Sequence, residues 1–220
     1  VRARLAKKRE ANLTTLHRAR KNAHTTVVND ALLAEPLQPG LTTFDNFPLE
    51  ELVACFDWTP FFATWELHGK YPAVLDDKVV GVEARKLHAD ALRMLDQLVA
   101  DGLLTARGVV GIWPANRVGD DIEVYADTDR TDVLATLHHL RQQRDKKSSG
   151  PHLCLSDFLL DKRDGANDWV GAFVVTAGHG VQKLAAQYEA EHDDYSSIMV
   201  KALADRFAEA FAERLHELVR

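Results

Sequence analysis

Cysteine is almost missing: the 220-residue chain holds only Cys55 and Cys154, far apart in sequence. Neither has the partners to complete a tetrahedral zinc set, and two lone thiols fit a reducing cytoplasm better than a disulfide-built secreted domain. Long apolar runs are missing too. No stretch of about 18 apolar residues is present to span a bilayer, and the opening V-R-A-R-L-A-K has no apolar signal-peptide core. These absences predict a soluble, cytosolic protein. The chain does not begin with Met, and Arg220 falls in the middle of a helical pattern with no Gly or Asn cap after it, so a piece of a longer polypeptide is expected. G-x-G-x-x-G, Walker-type, G-x-S-x-G and H-E-x-x-H motifs are all absent, as is any internal repeat. A doubly wound nucleotide fold and an independent hydrolase therefore find no support.

What is present suffices for one substantial core. Hydrophobic residues make up 46% of the chain, and a chain of this size buries roughly 70% of its unfolded surface on folding. Charge is unevenly spread. Residues 2–21 carry eight Arg or Lys against one Glu, leaving 19 basic and 32 acidic residues elsewhere and a body of charge −13. The basic arm lacks the interleaved aromatics of a stacking platform, and the acidic body repels phosphate, so nucleic acid and membrane partners are not expected. A tether leading in from a preceding domain is the plainer reading.

Residues 1–46 have weak periodicity and a P-L-Q-P-G turn at 36–40, which reads as a linker, with the globular part starting near Phe47. Pro48, Leu49, Leu52, Val53 and Phe56 spell a short helix that delivers the chain to Asp57. Ala84, Leu87, Ala91, Leu95 and Leu98 predict a helix over 82–99, stopped by Gly102. Two β-rich runs, 108–113 and 121–126, flank a loop containing Pro114, Asn116 and Gly119. Residues 132–143 fit strand or helix, with strand favoured, and K-K-S-S-G-P at 146–151 reads as an exposed loop. H-L-C-L-S-D-F and D-W-V-G-A-F-V-V-T read as further strands, the second buried on both faces. A helical region runs from about Val181 onward, with Met199, Leu203, Phe207, Phe211 and Leu215 at i+4 steps. Strands grouped in the middle, with long helices before and after, predict an α+β fold with a largely antiparallel sheet.

One segment stands out chemically. D-W-T-P-F-F-A-T-W-E-L-H-G-K-Y-P, residues 57–72, sets five aromatics and two prolines behind one carboxylate, a density that suggests a recognition surface holding Asp57 rigidly. Asp57 is placed to accept charge-assisted hydrogen bonds from a ligand's ammonium; alternatively it caps the turn at Thr59 and Phe61, and Trp58 and Trp65 are core staples. On the last helix Asp205 and Glu209 share a stripe with Ile198, Ala202, Ala212 and His216, and either meet a ligand or pair with Arg206, Lys201 or Arg214 on a solvated face. His192, Asp193 and Asp194 look metal-like, but adjacent helical positions point about 100° apart. Asp120 and Asp121 more often cap a turn and stay in water than hold a cation. A metal-dependent hydrolase built on these groups is the weakest reading.

Several runs together resemble the C-terminal activation domain of cobalamin-dependent methionine synthase, a family that binds S-adenosylmethionine. They are D-W-T-P-F-F (57–62), G-K-Y-P (69–72), R-G-V-V-G-I-W-P-A-N-R-V-G-D-D-I-E-V-Y (107–125), H-H-L-R-Q-Q (138–143) and H-D-D-Y-S-S-I-M-V-K-A-L-A-D-R-F-A-E-A-F-A-E (192–213). The resemblance implies a C-shaped α+β domain with a central, largely antiparallel sheet, 1–46 being the linker from a cobalamin-binding module and 47–220 an activation domain that is incomplete at its C-terminal end. It also implies a task. In the family, cobalamin carries a methyl group from methyltetrahydrofolate to homocysteine, and occasional oxidation leaves inactive cob(II)alamin. A flavodoxin-type reductase supplies an electron while S-adenosylmethionine supplies the methyl group, and methyl capture pulls an otherwise uphill reduction forward.

By this resemblance Asp57 matches the aspartate that contacts the amino acid portion of S-adenosylmethionine. Asp205 and Glu209 match acidic positions on the family helix that lines the cofactor side. The family's second S-adenosylmethionine segment, an R-P-A-P-G-Y-type loop, has no match in the chain, so weak binding by this piece alone is expected. Zinc, folate and homocysteine sites and the cobalamin-ligating histidine belong to other modules. A rival reading is a non-catalytic interaction domain that docks the reductase or covers cobalamin.

Overall fold

The computed structural model describes residues 13–27, 35–146 and 150–220. The start of the basic arm and the centre of K-K-S-S-G-P lie outside them. The elements in order are α1 (Leu16–Lys21), β1 (Gly40–Phe47), α2 (Leu49–Val53), α3 (Trp58–Thr64), α4 (Gly81–Ala100), β2 (Thr105–Val118), β3 (Asp121–Tyr125), β4 (Val133–Leu137), β5 (Asp168–His179), α5 (Val181–Ala190) and α6 (Asp194–Val219). Strands and helices are mixed as an α+β fold requires. The sheet order is β1-β2-β3-β4, with β5 also on β2, and the β2–β3 and β3–β4 pairs are antiparallel. Among the described residues no helix is long and apolar enough to cross a membrane.

The chain divides into two compact units, residues 1–40 with 111–172, and residues 41–110 with 173–220. The second unit holds the main core. Helix α6 is its axis, packed against α2, α3, α4 and α5, because Met199, Leu203, Phe207, Phe211 and Leu215 recur on one face and are all buried. Helix α4 presents Ala84, Leu87, Ala91, Leu95 and Leu98 to the same core and ends before Gly102, as its periodicity predicts. The long C-terminal helical region is interrupted. His192 takes a left-handed φ of 60°, and Asp193 then starts α6 by accepting a hydrogen bond from Ser196 N at 2.9 Å.

The first unit is organised around charge as well as apolar contact. Ala115, Ile122 and Val124 form a small cluster with Trp113, Leu159 and Val170. Beside it the Asp157 carboxylate, with no exposed surface, takes Arg141 through both oxygens at 2.8 and 2.7 Å. Arg141 also meets Asp120 at 2.7 Å, which Arg20 of α1 reaches at 2.8 Å.

Several expectations are corrected here. Strand β2 runs unbroken through Pro114 and Asn116; the register Val118↔Asp121 leaves a two-residue turn of Gly119 and Asp120, and Gly119 supplies the positive φ of 67° that such a turn needs. H-L-C-L-S-D-F is not a strand: Leu155–Phe158 is a 3-10 turn, drawn in by Asp157 accepting from Cys154 N at 2.9 Å. Strand β5 is exposed from Gly171 to Val174, so it is not buried on both faces. Residues 1–46, the expected linker, include α1, whose Ala19 is buried, and most of β1, Gly40–Phe47.

Candidate functional site

The route to Asp57 is set by local rules. Pro48 precedes α2, which closes after one turn with Cys55 N on Leu52 O and Phe56 N on Val53 O. Asp57 then has extended backbone and caps α3, its Oδ1 accepting from Thr59 N at 2.9 Å, while Pro60 sits in the first turn, where a missing N–H costs nothing. Thr59 is itself pinned, since Tyr71 N donates to its Oγ1 at 3.2 Å. The carboxylate is exposed. Among the described residues its Oδ2 accepts no hydrogen bond. One oxygen therefore orients the group and the other faces water, which suits an ammonium approaching from solvent.

Three of the five aromatics of this segment do not form a ligand wall. Trp58, Phe61 and Phe62 are buried in the main core, where Trp58 meets His88 edge-on at 4.7 Å and Phe61 at 5.3 Å. Their density reflects staple packing under the carboxylate. Burial lowers the His88 pKa, so this packing carries a neutral ring. Cys55 is not activated: burial first, then Glu217 and Glu213, push its thiol pKa up.

Asp205 and Glu209 lie one turn apart on an exposed stripe of α6. Asp205 pairs with Arg206 at 2.5 Å but keeps 69% of its side chain in water; Glu209 has no partner among the described residues. The other proposed partners are engaged elsewhere. Lys201 holds Glu189 at 2.8 Å, and Arg214 bridges Glu51 and Glu217 at 3.0 and 2.9 Å. Asp57 follows Phe56, whose ring packs on Phe207 at 4.9 Å. At 100° per residue Phe207 points about 160° away from both Asp205 and Glu209. The two acids share a face, opposite the one that packs on Phe56.

The metal-like groups are accounted for by structure. Asp193 is the α6 cap, and Asp120 does not stay in water but is held by Arg20 and Arg141. Asp121 faces His138 at 3.1 Å. Among the described residues no three metal-ligating side chains gather. One grouping escaped notice in the sequence: Trp65, Asp90 and Tyr195 meet around a cavity. Nothing local signals it, because the three lie on α3's end, α4 and α6.

Comparison with known proteins decides the family. The model for the activation domain of vitamin B12 dependent methionine synthase matches residues 48–220. The chain belongs to that family. A crystal structure of the MetH reactivation domain bound to AdoHcy is 51% identical to it, with a TM-score of 0.86. The alignment covers 94% of this chain and 63% of that one, so this chain spans less than two thirds of that relative. The activation-domain match starts one residue after Phe47, at the head of α2, and takes in Asp57, Asp205 and Glu209.

Proposed function

We propose that this chain is part of the reactivation module of a cobalamin-dependent methionine synthase, and that Asp57 anchors the amino acid end of S-adenosylmethionine. The observation that carries the reading is the split use of the Asp57 carboxylate, with Oδ1 fixed by Thr59 N and Oδ2 open to solvent. An acceptor held this way loses little freedom on meeting an ammonium, and the resulting charge-assisted hydrogen bond contributes about 1.5–3 kcal/mol. The AdoHcy bound to the related reactivation domain supports a ligand of this type. When bound, S-adenosylmethionine supplies a methyl group; the residues of this chain bind and orient it and contribute no nucleophile. Asp205 and Glu209 offer a second acidic face, turned toward whatever covers the exposed side of α6.

The whole enzyme on this reading moves a methyl group from methyltetrahydrofolate to homocysteine, with cobalamin and zinc held by other modules. Residues ahead of β1 lead in from the cobalamin-binding module, a flavodoxin-type reductase docks during repair, and the enzyme works in the cytoplasm, where Cys55 and Cys154 stay reduced. The chain alone has no turnover.

The cap suggests the cleaner test. Asn caps helices about as well as Asp, so Asp57→Asn in the full-length enzyme removes the charge and keeps α3. Reductive reactivation is expected to fall about tenfold or more with primary turnover unchanged. Unaltered reactivation would favour a pure docking or covering domain.

A further inference from the structure

Residues 13–27 fall within the expected linker, yet they are tied to the first unit along their length. Leu13 bridges Arg144 in the antiparallel sense. Thr14 N donates to Gln143 O at 2.9 Å, and Gln143 Nε2 donates back to Thr14 O at 3.0 Å. Arg20 of α1 reaches Asp120 at 2.8 Å. Asn22 O accepts from His152 N at 2.8 Å, Asn22 Nδ2 donates to Gly150 O at 3.2 Å, and Thr26 Oγ1 donates to Asp157 O at 2.5 Å. Apolar contact is scant by comparison. Within 13–27 only Thr14 and Ala19 are buried, while Leu13 and Val27 stay 68% and 77% exposed. A segment held by partly exposed hydrogen bonds over so little apolar surface opens locally, before the rest of its unit unfolds. The receiving carboxylates do not depend on it, since Asp120 and Asp157 both keep Arg141.

We infer that residues 13–27 are a releasable clasp for the chain that leads into the domain. Docked, they bring that chain onto the first unit at Leu13; released, they leave it held only from β1 onward. Release frees the 27 residues from 13 to 39, an upper bound of about 90 Å of added reach at roughly 3.3–3.6 Å per residue. The effective concentration of whatever the tether carries falls as the tether lengthens, so the clasp sets how closely the preceding module is presented to this domain. The inference rests on the reading that residues ahead of β1 lead in from the cobalamin-binding module, and stands whether or not Asp57 anchors S-adenosylmethionine.

The test is hydrogen exchange read by mass spectrometry on the full-length enzyme, with small-angle X-ray scattering beside it. Peptides covering 13–27 should exchange more slowly than free chain but far faster than those covering 199–215 of α6, where Met199, Leu203, Phe207, Phe211 and Leu215 are buried. Arg20→Gln combined with Asn22→Ala removes the ion pair to Asp120 and the side-chain bond to Gly150. Exchange in 13–27 should then rise about tenfold or more, with the α6 peptides and the urea midpoint unchanged and the radius of gyration increased. Free-chain exchange of 13–27 in the unaltered enzyme would overturn the inference, because the segment would not be docked. So would α6 peptides or a urea midpoint that shift with the clasp, because the segment would then be an integral part of the fold. A clasp that opens with no change in the radius of gyration would overturn its tethering role and the lead-in reading together. Asp57→Asn should alter none of these readouts, which keeps a failure here separate from a failure of the anchor.

Discussion

Replacing Asp157 by Ala should be among the most damaging single changes in the unit that holds it. The side chain is fully buried and accepts from Arg141 Nη1 at 2.8 Å, Arg141 Nη2 at 2.7 Å and Cys154 N at 2.9 Å, with Arg117 at 3.6 Å. Burial pushes its carboxyl pKa up, but the Arg141 hydrogen bonds, the Cys154 N–H and the two guanidinium charges outweigh it and hold the group below the usual carboxylate range. Truncation strands the Arg141 guanidinium, only 2% exposed, with Asp120 as its remaining carboxylate. Breaking one side of a buried pair costs about 3–5 kcal/mol, a large share of the about 5–15 kcal/mol that holds a typical domain together. Urea unfolding followed by tryptophan fluorescence measures the loss. A cost below about 1 kcal/mol, the worth of an exposed pair, would refute the claim that this network staples the unit.

The same carboxylates set an acid limit. Asp157, Asp120 and Asp161 all have pKa values lowered by folding, so their stabilisation is complete above the unfolded value of about 3.9 and is lost as pH falls through the folded values; urea midpoints should drop steeply below about pH 4, and less so in Asp157→Ala. Gly180→Ala should cost at least about 2 kcal/mol, because φ is 104° and the new Cβ would stand 2.5 Å from Leu103 O; thermal melting reads this directly. Arg214→Ala breaks exposed contacts to Glu51 and Glu217 and should leave the urea midpoint nearly unchanged. Asp57→Ala should lose about 0.5–2 kcal/mol with the α3 cap and Asp57→Asn only a few tenths, a difference that urea midpoints resolve.

Elements whose cause is local were legible in the sequence. Helices α4 and α6 declare themselves because their buried residues fall at 3.6-residue spacing, and β4 was favoured over helix because Val133, Ala135 and Leu137 alternate. The 3-10 turn at Leu155–Phe158 departs from the expected strand because Asp157, which accepts from Cys154 N, is fixed in place by Arg141, a partner outside any local window. The density of aromatics after Asp57 predicts a recognition surface because composition does not show which side of α3 faces α6. The Asp57 cap was visible as an alternative in D-W-T-P, whereas its suitability for an ammonium rests on an exposed second oxygen that only the fold reveals. No local pattern joins Trp65 to Tyr195, so the cavity between them was out of reach.

The most direct measurement is the distance from Asp57 to the amino nitrogen of S-adenosylmethionine in a crystal of the full-length enzyme. Contact through Oδ2 at about 2.7–3.2 Å, with Oδ1 still on Thr59 N, is the predicted result. A ligand seated elsewhere, with Asp57 capping α3 and touching only water, would contradict the account.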